Sequence, residues 1–430
     1  MTATLKFGKA TLNEGFTPHS TASFSDLRPA RIVRELIQNS LDAAVVEADE
    51  ETAIMRFDVE RIRRRQIPDV KGYRAAFDKA IRYQTKFSGS ELPDAAQQVV
   101  EHIANGLTDA ANGKATLLSV SDNGIGLDKK RMNSLLGDGS SAKSEDSSGS
   151  YGVGHLAPMS LSDIRYMLYG GITRNGRRIV AGRTVLASHG GRGGVHAAQG
   201  YLINAFRNGL DGNLYDFIRP PYPSIIQSRL DQINSEWGHG SVVMMLAFNN
   251  FRSGTSLWDV VSKVASYNFC SAIYQGKLII HVDDGSEPRT LDRNTLEHTL
   301  EEDKERVRAA RSDSFFEGLR PSGQNAYSIL RTLADHPSQR VELNLGAAYL
   351  SLMKAAPSGS ARVDLFRNGM WITDEAFALK RADFANRQPF HAVVEIQAKE
   401  SGDLHRLIRK AEGPMHDTIS FSLRNCSGVG

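Results

Sequence analysis

Three polar side chains recur at helical spacing near the start of the chain. Glu35, Asn39 and Asp42 stand at positions i, i+4 and i+7, so a helix would place them on one face. Apolar residues elsewhere in the same stretch would pack that helix against a sheet. A carboxylate at Glu35 can activate water, and the amide oxygen of Asn39 suits a hard cation. The alternative is a solvated helix face that contains an incidental asparagine.

A second polar group follows an apolar strand. Residues 115–121 (ATLLSVS) predict a strand that ends at Asp122, where the sequence DNGIG begins. A carboxylate at a strand end can accept a hydrogen bond from an exocyclic amine such as adenine N6. Gly124 and Gly126 would let the backbone approach a flat ligand. The alternative is a tight turn, which is common for Asp-Asn-Gly.

A third segment is rich in glycine and serine. Residues 138–154 predict a mobile loop that runs into the sequence GSYGVGH, and no Gly-Lys-Ser/Thr P-loop is present in the chain. Backbone N–H groups in such a turn can cradle an anion, so the segment suits phosphate, and we expect nucleotide to order it. The alternative is a flexible surface loop. Its candidate ligands are Lys143, Gly149, Gly152, Val153 and Gly154.

The fourth segment, WGHGS, opens a predicted strand over residues 241–248. A glycine and a small hydroxyl residue, Ser241, could back a nucleotide pocket at that point. The alternative is an ordinary strand start.

In this order the four segments resemble the boxes of the GHKL ATPases. That group includes gyrase-type topoisomerases, large heat-shock chaperones, histidine kinases, MutL and MORC proteins. The resemblance extends to about residue 285 and implies a Bergerat fold, an α/β sandwich with a mixed sheet. We expect an ATP-binding domain at 1–285. A linker and a second α/β, transducer-like domain at 286–430 would follow it, incomplete at the C-terminus.

The resemblance also implies ATP and Mg²⁺ as ligands. Glu35 would be the general base, Asn39 the magnesium ligand and Asp122 the residue that reads adenine. Residues 363–412 are faintly similar to the chaperone middle domain, and this resemblance implies that Arg409 would sense the γ-phosphate. The remaining residues would line the nucleotide: Asp42, Gly124, Gly126, Lys143, Gly149, Gly152, Val153, Gly154 and Ser241.

Glu35 separates the branches of this group. A histidine kinase lacks a glutamate at the first box position and carries a phosphoacceptor histidine upstream, so Glu35 favours hydrolysis. We therefore expect slow, Mg²⁺-dependent ATP hydrolysis that drives lid closure, pairing of two chains and clamping of a nucleic-acid or protein client. The alternatives are a nucleotide-binding regulatory module without turnover and a protein kinase of the same group.

Composition is that of an ordinary globular protein. The 430 residues are 40% hydrophobic and 23% charged, and no apolar run approaches the ~20 residues of a membrane helix, so we expect no membrane contact. Two cysteines, Cys270 and Cys426, exclude a disulfide framework and favour the cytoplasm. The net charge of +3 does not itself indicate nucleic acid. One basic run suits phosphate or, alternatively, is a solvated face: Arg61, Arg63, Arg64 and Arg65.

Overall fold

Two large β-sheets with helices on their faces, and one separate two-stranded sheet, make up the described fold. The computed structural model describes residues 3–17, 29–49, 51–108, 113–137, 154–191, 193–207, 215–252, 255–309, 320–355, 361–374, 388–413 and 419. All structural statements below concern these residues.

Ten of the described strands form a large mixed sheet with the spatial order β1-β7-β5-β4-β10-β3-β2-β11-β12, and β6 pairs with β7. Neighbouring strands are antiparallel except for β2 and β11, which are parallel. The strands of this part of the chain, including the separate pair β8–β9, are β1 (Thr4–Lys9), β2 (Ala53–Arg63), β3 (Lys114–Asp122), β4 (Ser162–Ile172), β5 (Arg178–Val185), β6 (His189–Gly191), β7 (Gly194–Ile203), β8 (Ala205–Phe206), β9 (Tyr215–Asp216), β10 (Gly240–Phe248), β11 (Leu278–Asp283) and β12 (Arg289–Leu291).

Helices cover both faces of this sheet, and one of them changes its hydrogen-bond register. The first helix passes into a π-helix at Asp42–Glu47. The α-helices of the described residues are α1 (Pro29–Leu41), α2 (Val70–Phe87), α3 (Asp94–Thr108), α4 (Lys129–Leu136), α5 (Ser224–Glu236), α6 (Leu257–Asn268), α7 (Cys270–Tyr274), α8 (Leu296–Ala309), α9 (Gly323–Asp335) and α10 (Ala398–Ala411).

Alternation along the strands builds a core on each face of the large sheet. On β3, Leu118 packs with α1 and α6, whereas its neighbour Leu117 packs with α2, α3 and α5 on the other side. Successive side chains of a strand point to opposite faces, so one strand supplies both cores. The predicted fold class, an α/β sandwich with a mixed sheet and a second α/β part behind it, is confirmed.

The second sheet has five described strands in the order β13-β14-β17-β15-β16, and β15 and β17 are parallel. One of its faces shares a core with α1 and α6 through Phe366 and Trp371, and the other packs on α10 through Leu365 and Ile408. Its strands are β13 (Gln339–Leu343), β14 (Gly346–Lys354), β15 (Arg362–Arg367), β16 (Met370–Thr373) and β17 (Phe390–Ile396).

The chain is continuous in structure across the predicted boundary at residue 285. Strand β12 extends the large sheet to Leu291 by pairing with β11. The buried side chains of the second sheet belong to the same core as those of α1. The division into two domains at 285 therefore stays a prediction. Among the helices of the described ranges, none combines the length and the apolar character that a membrane crossing requires.

Helix α10 carries a buried histidine. His405 is fully buried, and neither of its ring nitrogens has a hydrogen-bond partner in the described part of the chain. Burial lowers the pKa of His405 to about 4, assisted by the nearby cations Arg367 and Arg409 and opposed by Glu412. His405 is therefore neutral at pH 7.

We expect this histidine to make the fold sensitive to acid. Between about pH 6.5 and 4 the unfolded chain binds a proton that the folded chain does not, so stability falls as the pH is lowered through that window. The stability difference between wild type and His405→Gln should move by about 2 kcal/mol in favour of the variant from pH 7 to pH 5. Urea unfolding at both pH values measures it. The exposed His298 supplies the control variant His298→Gln, and a difference that does not change with pH would contradict the expectation.

Candidate functional site

A buried carboxylate at the end of β3 joins three of the predicted motifs. Asp122 is 7% exposed, and its Oδ2 accepts hydrogen bonds from the hydroxyls of Ser40, at 3.1 Å, and Ser241, at 2.7 Å. Its Oδ1 accepts from the N–H of Gly124 at 2.9 Å. Ser40 lies on α1, and Ser241 stands directly opposite Asp122 in the ladder of β10 with β3. Segments far apart in sequence thus converge on a single side chain.

The environment of Asp122 acts on its proton affinity in two directions. Burial raises the pKa of Asp122, and hydrogen bonds from Ser241, Gly124 and Ser40 oppose that rise. The net direction is upward, because removal from water disfavours the charged form more than these bonds favour it. Oδ1 accepts from Gly124, and a carboxylate oxygen has about two lone-pair sites. A further donor, such as an exocyclic amine, suits that oxygen.

The two predicted glycines after Asp122 are explained by packing within the chain. A Cβ on Gly124 would lie 2.7 Å from the Cβ of Ala43 in the π-helix. Gly126 has φ +75°, and a Cβ there would collide with the carbonyl oxygen of Ile172. Ile125 donates its N–H to the Ala43 carbonyl at 3.0 Å, which ties the turn to the π-helix. Contact of Gly124 and Gly126 with a nucleotide stays a prediction.

Helix α1 presents Glu35 and Asn39 on its one open stripe. Between residues 32 and 42 only these two side chains are not buried. They lie four residues apart, about 6 Å along the helix axis, so both face the same side. Asp42 is 1% exposed and stands where the α-helix passes into the π-helix. Asp42 is thus close in sequence to the stripe but buried beneath it.

Sequence reasoning missed two residues of this cluster. Ser40 donates to Asp122, and the ring Nδ1 of His239 lies 2.8 Å from the carbonyl oxygen of Gly124. Ser40 directly follows Asn39, and His239 stands in the WGHGS segment, so position next to a motif was the available signal.

Asn123, inside the DNGIG segment, joins two stretches of backbone. Its side chain accepts from the N–H of Ile54 at 2.9 Å and donates to the carbonyl of Thr52 at 3.0 Å. Asn123 therefore holds the turn against the start of β2, which is a structural role.

Most of the predicted phosphate loop lies outside the described residues. That is the case for Lys143, Gly149, Gly152 and Val153. Gly154 is described and opens the 3₁₀ helix Gly154–Leu161. The predicted phosphate contacts of this segment stay predictions.

Arg409 lies on α10, which packs against the second sheet. Its neighbour Ile408 packs with Leu365 and Ile396 on the face of the second sheet opposite to the face that shares a core with α1. The cation of Arg409 acts on His405, one turn earlier on the same helix. The role of Arg409 as a phosphate sensor stays a prediction.

The basic run occupies the opposite end of the ladder that carries Asp122. Met55 pairs with Asp122 at one end of β2–β3, and Arg63 pairs with Lys114 at the other. Eight residues separate Lys114 from Asp122, which is about 27 Å along a strand. Arg63 and Lys114 are exposed. Whatever contacts this basic end is therefore remote from Asp122.

The side-chain oxygen of Asn39 on α1 suits a cation whose other ligands are phosphate oxygens and water. The described residues contain no group of three or more His, Cys, Asp or Glu side chains that could hold a metal ion. Mg²⁺ is commonly held by a few protein oxygens together with phosphate oxygens and water. The amide oxygen of Asn39 fits that manner of binding, in which the nucleotide supplies most of the coordination.

Comparison with known proteins shows a likeness only at the level of solved structures. No protein-family model matches the chain, and no curated protein matches it. Among solved structures, the B subunit of the DNA gyrase from Myxococcus xanthus is similar over 65% of this chain and 70% of that chain. The two sequences are 11% identical and the TM-score is 0.32. A likeness at this level defines neither the family of the chain nor its activity.

Proposed function

We propose that this chain binds ATP with Mg²⁺ and hydrolyses it slowly at a site formed by the end of β3 and the open stripe of α1. The observation that carries the proposal is the convergence of Ser40, Gly124 and Ser241 on Asp122. A buried carboxylate at a strand end, with an acceptor site left on Oδ1, suits the N6 amine of adenine.

Spacing along α1 supports the same arrangement. Ser40 fixes the helix to Asp122, and Glu35 lies five residues earlier, about 7.5 Å along the axis. Asn39 lies between them on the stripe that also exposes Glu35. A nucleotide extended along this stripe from Asp122 would pass Asn39 with its metal before its terminal phosphate reaches Glu35. In that position the Glu35 carboxylate would take a proton from the attacking water.

The proposed output is a conformational switch. Residues 138–154 would close over the phosphates, two chains would pair, and the closed form would clamp a nucleic-acid or protein client. The second sheet and α1 share one core, which supports the proposed switch, because a shift of α1 would displace the second sheet. Arg409 would sense the γ-phosphate in the closed form.

Asp122 provides the test of nucleotide binding. We expect Asp122→Asn to weaken Mg-ATP binding by roughly tenfold or more, because the new amide N–H₂ would face the adenine amine and leave a buried polar group unpaired. Wild type should bind ATP more tightly than GTP, since guanine presents an acceptor at the same edge. Isothermal titration calorimetry measures both affinities.

A control on the same strand separates this effect from damage to β3. Ser119 is fully buried three residues before Asp122, on the opposite face of the strand, so Ser119→Ala should leave ATP affinity unchanged. Because the pKa of Asp122 is raised, protonation should weaken the carboxyl group as an acceptor at a higher pH than for an ordinary aspartate, and ATP affinity should fall there. GTP bound by wild type as tightly as ATP would contradict the proposed pocket.

A further inference from the structure

A buried contact joins the residue next to Glu35 to the second sheet. Arg34 precedes Glu35 on α1, and its guanidinium is buried. Its Nη2 donates to the main-chain carbonyl oxygen of Trp371 on β16 at 3.0 Å, across 337 residues of sequence. A buried charged donor is costly unless it is hydrogen-bonded, so this contact fixes where α1 lies relative to β16.

Trp371 is itself held from the far side. It is 1% exposed, and its indole N–H donates to Oδ1 of Asp364 on β15 at 2.7 Å. Asp364 is fully buried, and Arg362 donates to the same Oδ1 at 2.6 Å. The side chain and the carbonyl of Trp371 therefore connect Asp364 with Arg34.

The hydrogen-bond network continues from Asp364 to helix α9. Nε2 of His391 on β17 lies 2.7 Å from Oδ2 of Asp364, which makes Nε2 the protonated nitrogen. Nδ1 of His391 lies within hydrogen-bond distance of two hydroxyls of α9, at 3.0 Å from Oγ of Ser328 and 2.8 Å from Oγ1 of Thr332. Hydrogen bonds to buried charged groups are strong and directional, so such a network specifies one docked arrangement of the second sheet. Helix α1 is part of that arrangement through Arg34.

We propose that Arg34 is a positioning residue, which anchors α1 to β16 and so places the carboxylate of Glu35 correctly only while the second sheet is docked. This inference rests on the proposed ATP hydrolysis. Adjacent residues of a helix point about 100° apart, so Arg34 can hold the buried side of α1 while Glu35 stays on the open stripe. Fixing Arg34 resists both rotation and sliding of the helix.

The physical consequence concerns the chemical step more than nucleotide binding. A misplacement of about 1 Å at a catalytic group can cost on the order of 100-fold in rate. Adenine recognition depends on Asp122 and Ser40, and Ser40 lies almost two turns of α1 beyond Arg34. Loss of the Arg34 anchor should therefore lower kcat and leave the affinity for ATP largely intact.

The test compares steady-state ATP hydrolysis and Mg-ATP affinity in the full chain. Arg34→Met should lower kcat by about 10- to 100-fold with Kd within about threefold of wild type. Arg34→Lys should recover part of kcat, because lysine keeps the charge and one donor. Amide hydrogen exchange in β16 should accelerate in Arg34→Met. Arg56→Met, which removes a guanidinium paired with Glu236 at 2.9 Å on the large sheet, is the matched control and should change none of these.

The outcomes separate this inference from the proposed function. If wild type releases no phosphate from ATP, both fail together. If wild type is active and Arg34→Met keeps its kcat, or loses affinity and kcat in equal proportion, only the positioning role is overturned. Should Arg34→Met fail to fold, Arg34→Gln decides, because it keeps a polar side chain at this buried position but loses the charge and the reach of the guanidinium to the carbonyl of Trp371. A lower kcat with unchanged affinity in that variant supports the role, and an unchanged kcat overturns it.

Discussion

Replacing Glu35 with alanine is expected to abolish ATP turnover while ATP binding survives. Glu35 lies on the open stripe of α1, one turn from Asn39. A general base acts on the attacking water and not on the bound nucleotide, so kcat should fall by about 10²–10⁴-fold with little change in Kd. Phosphate release measures turnover, and calorimetry with Mg-ATP measures binding.

Two further variants serve as comparisons for Glu35→Ala. Asn39→Ala should weaken the Mg²⁺-dependent part of ATP binding, because it removes the proposed metal ligand. Glu297→Ala removes an exposed carboxylate of α8, which pairs with Arg331 of α9 at 3.2 Å. In that variant turnover and ATP affinity should both stay at the wild-type level. Equal turnover in Glu35→Ala and wild type would remove Glu35 from the reaction. ATP binding without phosphate release by wild type would favour the regulatory module, and label transferred to protein would favour the kinase.

The sequence predicted the candidate site best where a residue with a hydrogen-bonding side chain stands at the end of a strand. The apolar run before Asp122 predicts β3 and its last residue, and the pattern around Ser241 predicts the start of β10. Local patterns predict that both residues stand at strand ends, whereas the pairing of Asp122 with Ser241 depends on the strand order and register. Ser40, the penultimate residue of α1, had no signal other than its position next to Asn39, since no local pattern marks a helical serine as a hydrogen-bond donor to a distant carboxylate.

The second sheet shows why other parts could not be predicted. Asp364 alternates with apolar neighbours on β15, a pattern typical of an exposed acidic residue, yet it is fully buried. Its partners Trp371 and His391 come from strands that follow it by several to many residues, and Ser328, which bonds to His391, comes from a helix that precedes it. Pairings of this kind depend on strand order and register, which local periodicity does not determine.

Replacing Trp371 with alanine is expected to destabilise both sheets together. Trp371 is 1% exposed and packs in the core that the second sheet shares with α1 and α6. Truncation of a buried aromatic side chain costs about 3–5 kcal/mol, and Asp364 also loses the indole donor. Since one core serves both sheets, we expect a single unfolding transition at lower urea concentration than for wild type. Circular dichroism and the fluorescence of Trp258 in α6, recorded in a Trp237→Phe background, should give the same midpoint.

Trp237 offers the matched control. It is half-buried after α5 and packs on the other core of the large sheet, so Trp237→Ala should cost less and leave β16 unaffected. The carbonyl that accepts from Arg34 belongs to the backbone, so Trp371→Ala removes the packing of the side chain and keeps that acceptor. Two separate transitions, with the signal of Trp258 unchanged, would mean that α1 holds its place without the second sheet. The position of Glu35 would then depend on the large sheet alone.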